Sequence, residues 1–372
     1  MNQNKDILQS KCKELWYKTE KGTLALATGT GKSKIAVDII HENPSYGTIV
    51  LVVPTEKLRD ENWHEEFKKW KCDKDYYRIE RICYASMAKT IIEEDVDLLI
   101  LDECHNITEN NSVFFNNNKV KRILGLTATP PEDEVKKELF LKFFPVIYTY
   151  TLDEGVKDSI VAPYEIIVVE TRLDDSEKYV KAGTKEKPFL TTEYKHYNFL
   201  SQQILKLQYA HKAEIVKWKI LERMRFIYNL KSKTDIARKI INEIIKDDRA
   251  LIFCGSIAQA EELCKHTFHS KTSDKDLKKF INGKINHLSS IKCLNEGINM
   301  PNLNSCLIVQ LNSKEKDAIQ RIGRLLRLRD GHLAKIYILS VINTVDENWT
   351  KKALKQFDSA NITYVNYKNL FK

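Results

Sequence analysis

The run Thr23-Leu24-Ala25-Leu26-Ala27-Thr28-Gly29-Thr30-Gly31-Lys32-Ser33, continued by Lys34-Ile35-Ala36-Val37-Asp38-Ile39-Ile40, orders the reading of everything around it. A short apolar segment enters a glycine loop, and the apolar spacing beyond the loop is that of a helix, the context a phosphate-binding loop requires. Gly29 and Gly31 let the backbone curl so that its N–H groups converge on phosphate oxygens at a helix N-terminus, where the dipole favours anions. Thr28 and Thr30 complete the loop, Lys32 supplies a point charge for β- and γ-phosphates, and Ser33 offers a hydroxyl to Mg²⁺. The strict form of the loop places Gly at position 26, where this chain has Leu26.

Similar apolar runs recur further along the chain: TIVLVV at 48–53, DLLILD at 97–102, RILGLT at 122–127, ALIFCG at 250–255, INHLSSI at 285–291, SCLIVQL at 305–311 and AKIYILS at 334–340. Continuous apolar strands separated by helical patterns belong to parallel sheets covered on both faces, so the expected fold class is α/β with two sheets. A length of 372 residues suits two domains. The strand DLLIL runs into Asp102-Glu103-Cys104-His105, which puts carboxylates at a strand's C-terminal end, where α/β sheets bind ligands. Asp102 is the candidate for Mg²⁺, and Glu103 the candidate for polarising the attacking water.

Hydrophobic residues make up 42% and charged residues 30%, which excludes a disordered or collagen-like chain and marks a folded soluble protein. Eight cysteines without a C-x-x-C pair are read as reduced thiols in a cytoplasmic setting. Cys264, His266 and His269 lack a fourth ligand at credible spacing for zinc. The polar start carries no signal-peptide core and the apolar runs are too short to span a bilayer, so no membrane role is expected. Asn116-Asn117-Asn118 reads as a turn.

The net charge is +9, and its placement is uneven. From Ser176 to Lys233 there are 13 Lys and Arg against 5 Asp and Glu, with one Gly, one Pro and apolar residues such as Leu200, Ile204, Val216 and Ile227 at helical spacing. The stretch is expected to be helical, inserted near a domain boundary, with a polyanion as partner. Lys178, Lys181, Lys206, Lys217, Arg223 and Arg225 accompany Tyr194, Tyr197, Tyr209 and Trp218. Cations meet phosphates and aromatic faces stack on bases; the alternative is that the aromatics pack the helices together.

Taken in order, the motifs resemble the superfamily 2 helicases and translocases, in particular the restriction-motor and phage branch-migration subgroup, over nearly the whole chain. The resemblance implies two tandem RecA-like domains, 1–160 with the phosphate loop, the DECH box and the Thr-Ala-Thr motif, and 161–372 with motifs IV, V and VI and the basic insertion at about 176–233. Gln9 matches the family's adenine-reading glutamine. Val53-Pro54-Thr55-Glu56-Lys57 is similar to motif Ia, which implies backbone contacts from Pro54, Thr55 and Lys57, and Tyr84-Ala85-Ser86 to the next strand-end loop. Thr127-Ala128-Thr129-Pro130 matches the motif that links the acidic box to nucleic-acid binding, implying nucleic-acid contacts from Thr127 and Thr129. Ser289-Ser290-Ile291-Lys292 with Gly297-Ile298-Asn299 resembles motif V, implying nucleic-acid contacts from Ser290 and Lys292 and nucleotide contacts from Gly297 and Asn299; relatives often carry Asp at the position of Asn299. Gln320-Arg321-Ile322-Gly323-Arg324-Leu325-Leu326-Arg327 matches motif VI, with Gln320, Arg324 and Arg327 in the catalytic set. The arginine commonly found after motif IV is missing from HSKTSDKDLKKF. The resemblance implies ATP with Mg²⁺ and a motor on DNA. An RNA helicase and a nucleotide-gated nucleic-acid-binding scaffold without productive hydrolysis are the alternatives. It also admits a virus-encoded enzyme acting in a host cytoplasm.

Overall fold

The structure, a computed structural model, describes residues 3–131, 133–291, 303–311, 333–355 and 357–371. The chain forms two compact units and passes from one to the other between Pro163 and Tyr164. No helix among the described residues is long and apolar enough to cross a membrane.

The first unit is built on six parallel strands, β1 (Lys21–Leu26), β2 (Thr48–Val53), β3 (Ile79–Cys83), β4 (Val96–Asp102), β5 (Val120–Thr127) and β6 (Val146–Tyr150), in the order β3-β2-β4-β5-β1-β6. The four central strands are the continuous apolar runs read from the sequence. β3 and β6 lie at the edges, where only part of each strand is buried, so their mixed composition hides them from a search for apolar runs. Helix α1 (Gln3–Thr19) and helix α2 (Lys32–Glu42) flank β1 in sequence, and Ile35, Ala36, Val37, Ile39 and Ile40 of α2 are buried.

The second unit begins with β7 (Tyr164–Thr171) and continues through the antiparallel pair β8 (Val180–Gly183) and β9 (Pro188–Thr191). It ends with β10 (Ala250–Phe253), β11 (Thr267–Phe268), β12 (His287–Ser290), β13 (Ser305–Ile308), β14 (Ala334–Val341) and β15 (Ile362–Asn366). Its parallel sheet runs β11-β12-β10-β13-β14-β7-β15. β7 has an apolar centre, Ile166–Val169, but precedes the insertion, so chain order separates it from the sheet it completes between β14 and β15.

Two local expectations change. The basic stretch is not wholly helical: β8 and β9 come first, joined through Gly183 at φ +93, and helices Glu193–Tyr209 and Ala213–Tyr228 follow. Asn116 and Asn117 end the helix Val113–Asn117 instead of making a free turn, and the buried Asn118 amide donates to Phe114 O at 2.8 Å and to Thr90 O at 3.1 Å.

One polar network is sealed inside the second unit. Lys233 and Asp346 side chains are both 0% exposed and pair at 2.7 Å. Lys233 Nζ also donates to Gln310 Oε1 at 2.9 Å, Gln310 Nε2 donates to Asp346 Oδ1 at 2.9 Å, and Val341 N–H donates to Asp346 Oδ2 at 2.9 Å. Burial lowers the Lys233 pKa while Asp346 opposes the shift. Every polar tip in this set has a partner, the condition under which buried charge is tolerated.

Candidate functional site

Because the first sheet is parallel throughout, the loops after β1, β2, β4 and β5 all leave its C-terminal edge, and the residues singled out in the first unit lie on those loops, apart from Gln9 on α1. After β1, Gly29 and Gly31 adopt φ +90 and +91, left-handed values that strain any other residue. Gly31 is the N-cap of α2, so the loop delivers its N–H groups to the helix start. A Cβ on Gly31 would drive into Gln9 Nε2. That amide donates to Thr30 O at 2.9 Å, and Lys5 Nζ donates to Gly29 O at 2.7 Å. Two donors from one face of α1, four residues apart, thus hold successive loop carbonyls away from the side where N–H groups are wanted. Lys32 Nζ donates to Leu26 O at 3.1 Å, and Thr30 Oγ1 to Ala27 O at 2.8 Å. Ser33 is half-buried at the start of α2.

Asp102 ends β4 and is buried. Its Oδ2 accepts a hydrogen bond from Trp63 Nε1 at 2.9 Å, and its backbone carbonyl accepts one from Tyr84 OH at 3.0 Å. Burial pushes the Asp102 carboxyl well above the usual range and the neighbouring Glu103 charge adds to this, while the Trp63 bond and the Lys32 charge pull it back. The Lys32 contribution ties the acidic box electrostatically to the loop after β1. Glu103 takes φ +47, a left-handed conformation costly for a glutamate. Its Oε2 is buried without a hydrogen bond, 3.4 Å from His105 Nδ1. His105 Nδ1 in turn lies 3.0 Å from Thr127 Oγ1, which donates to Thr129 O at 2.9 Å. The acidic box and the Thr-Ala-Thr segment are therefore one hydrogen-bonded train. Both threonines are buried, and Thr127 Oγ1 faces His105 of the acidic box.

Trp63, Tyr84 and His105 were not assigned roles from the sequence. Trp63 lies 39 residues from Asp102, and only the placement of α3 (Trp63–Lys69) joins them. On the loop after β2, Thr55 and Lys57 are exposed and Pro54 is half-buried; Thr55 Oγ1 accepts from Leu58 N–H at 3.3 Å. In the second unit Ser290 ends β12, buried. Lys292, Gly297, Asn299, Gln320, Arg324 and Arg327 lie outside the described residues.

Among the described residues, seven buried side-chain polar atoms lack a hydrogen bond, and four belong to residues of the nucleotide and nucleic-acid motifs: Thr28 Oγ1, Glu103 Oε2, Thr129 Oγ1 and Ser290 Oγ. Orphaned buried polar atoms are uncommon in native proteins and point to an absent partner. Three of the four follow β1, β4 and β5 on one sheet edge. The donor set fits a nucleoside triphosphate with a hard cation: backbone N–H groups and one ammonium for phosphate, and a hydroxyl and a carboxylate for Mg²⁺.

Comparison with known proteins agrees. The family model described as Type III restriction enzyme, res subunit, matches residues 2–85 and 79–132, and the helicase conserved C-terminal domain matches 232–329. Together they cover more than half of the chain. The chain belongs to the superfamily 2 helicases and translocases. It is 27% identical over 369 residues to a DNA 3'-5' translocase, XPB2, of Sulfurisphaera tokodaii, covering 89% of this chain and 80% of that one. The helicase domain of Pyrococcus furiosus Hef superposes with a TM-score of 0.51 at 18% identity, covering 94% of this chain and 97% of that one. The DNA-bound Type ISP restriction-modification enzyme LlaBIII superposes at 0.62 and 14% identity, covering 96% of this chain but 31% of that larger one. These two structures share the fold of this superfamily 2 member, which as a member is an ATP-using enzyme of the helicase and translocase class.

Proposed function

We propose that this protein hydrolyses ATP at the C-terminal edge of its first sheet and uses the energy to move along or remodel DNA. The observation that carries this reading is the set of buried, unpaired polar atoms on Thr28, Glu103 and Thr129 beside a glycine loop held open by Lys5 and Gln9. The loop Thr28–Ser33 binds the phosphates, Lys32 releases Leu26 O to meet them, and Gln9 reads the base. Ser33 and Asp102 would hold Mg²⁺, which neutralises developing charge on the phosphates when bound. Glu103 Oε2 orients the attacking water and accepts its proton, with His105 steadying the carboxylate. Arg324 and Arg327, with Gln320, are proposed to stabilise charge on the γ-phosphate, as guanidinium groups stay charged and bind phosphate through two donors. Gly297 and Asn299 complete the nucleotide contacts, and Pro54, Thr55, Lys57, Ser290 and Lys292 the nucleic-acid contacts.

DNA is favoured over RNA because a relative is named a DNA translocase and a structural neighbour was solved on DNA. ATPase rates measured alone and with single-stranded, duplex and forked DNA beside matched RNA test the reading. Strong DNA stimulation is expected. Stimulation by RNA alone would move the assignment to an RNA helicase, nucleotide binding without turnover to a gated scaffold, and indifference to both polymers would remove the motor.

A further inference from the structure

The two helices of the insertion, Glu193–Tyr209 and Ala213–Tyr228, form a hairpin whose tip the reading above leaves unused. They run antiparallel: His196 meets Phe226 with ring centroids 4.7 Å apart, and Arg223 Nη1 donates to Ser201 Oγ at 3.1 Å. Continued toward the tip, that register brings Leu205 level with Trp218 and Tyr209 level with Ile215. Leu205 and Tyr209 stand four apart and Ile215 and Trp218 three apart, so each pair shares a face of its helix. All four are open to solvent, at 54% for Leu205, 84% for Tyr209, 47% for Ile215 and 66% for Trp218. They are not displaced core, because Tyr197, Leu200, Ile204, Val216 and Ile227 already bury the inner faces. Nor is the tip frayed: His211 turns the chain at φ +52, with Ala210 N–H on Lys206 O and Lys212 N–H on Leu207 O, both at 3.1 Å.

The charge around this patch selects its occupant. Lys206 and Lys212 are exposed and have no acidic partner among the described residues, while Lys217 and Lys219 pair with Glu214 and Glu222. Exposed aromatics and lysines without an acidic partner at one hairpin tip suit a polyanion that also offers flat apolar faces. A single nucleic-acid strand does so, whereas a duplex hides its base faces inside the stack. We propose that the hairpin tip is a stacking site for unpaired bases, with Tyr209 and Trp218 as platforms and Lys206 and Lys212 as phosphate contacts. This rests on the nucleic-acid motor reading and adds to it a hold on strand that has already opened.

The test is equilibrium binding of the full chain to a labelled single-stranded oligodeoxynucleotide and to a blunt duplex of the same sequence, across a salt series. The Tyr209→Ala/Trp218→Ala variant should bind the single strand roughly ten- to a hundredfold more weakly with an unchanged salt slope, and the duplex as before. Tyr209→Phe/Trp218→Phe should retain most of the affinity, and Lys206→Gln/Lys212→Gln should instead flatten the slope by about 0.7 per lost contact. An alanine variant that holds the single strand normally overturns the proposal, and so does an equal loss on duplex. A wild-type dimer that the alanine variant abolishes, with single-strand affinity intact, would reassign the tip to self-association. ATPase stimulation of the wild type by DNA, measured on the same samples, separates the two levels: without it the motor reading fails, and with it only the stacking site is at issue.

Discussion

The edge of the first sheet and the tip of the helical hairpin break the ordinary rules of burial in opposite directions. At the edge, polar atoms of Thr28, Glu103 and Thr129 are buried without partners; at the tip, Tyr209, Trp218, Leu205 and Ile215 are apolar and exposed. A third region, around Lys233 and Asp346, buries charge too, yet satisfies it completely. The difference teaches how to sort unusual residues. A buried polar group with all its partners specifies the fold, several unpaired ones gathered on one loop edge mark a candidate ligand site, and exposed aromatics at one tip mark a candidate contact surface.

If that sorting is right, the three regions answer differently to mutation. Lys233→Met should cost about 3–5 kcal/mol of stability, because it strands the Asp346 carboxylate in the interior, and Lys233→Met/Asp346→Leu should recover much of the loss. Urea unfolding measures both, and a Lys233→Met protein of normal stability would show that the network is not what it looks like. Lys32→Ala should leave stability within about 0.5 kcal/mol while lowering ATPase turnover some hundred- to thousandfold. Glu103→Gln should match that loss of turnover yet still bind ATP, which a nucleotide-binding assay separates.

Asp102→Asn sharpens the contrast further, since it should abolish hydrolysis and raise stability. The folded Asp102 carboxyl sits above its unfolded value, so between those two values the folded state holds a proton that the unfolded chain has lost. Stability from this group is therefore lost as pH rises through that window, and asparagine removes the cost. Calorimetry in magnesium-free buffer from about pH 4 to pH 8 should show the variant gaining on the wild type as pH rises, by about 2–4 °C for each kcal/mol. Parallel curves would mean that the carboxyl is not raised. The smallest effect is expected for Trp63→Phe, which deletes the indole N–H that favours the Asp102 carboxylate. Its ATPase deficit, about tenfold at most, should widen as pH falls and close as pH rises. A deficit independent of pH would make Trp63 a packing residue alone.

Much of the candidate site was legible because it is local. A phosphate loop needs consecutive glycines, a lysine and a hydroxyl at fixed spacing, so Gly29, Gly31, Lys32 and Ser33 declare themselves, and Asp102 and Glu103 follow a strand that is apolar along its length. β3, β6 and β15 were hidden by the mixed composition of edge strands, and β7 by its distance along the chain from its neighbours. Trp63 and His105 carry no signature of their own, since indole and imidazole have many uses and the partner is chosen only on folding.

What the amino-acid order determined by itself was the class of fold, the phosphate chemistry and the concentration of positive charge between residues 176 and 233. These depend on period, spacing and count, which survive without coordinates. Only the tertiary structure decided which tyrosine packs and which is presented, placing Tyr197 inside and Tyr209 outside on the same helix, and which buried polar atoms are left unpaired. The reason is that partnership is a property of neighbours, and neighbours far apart in the chain are assigned by packing.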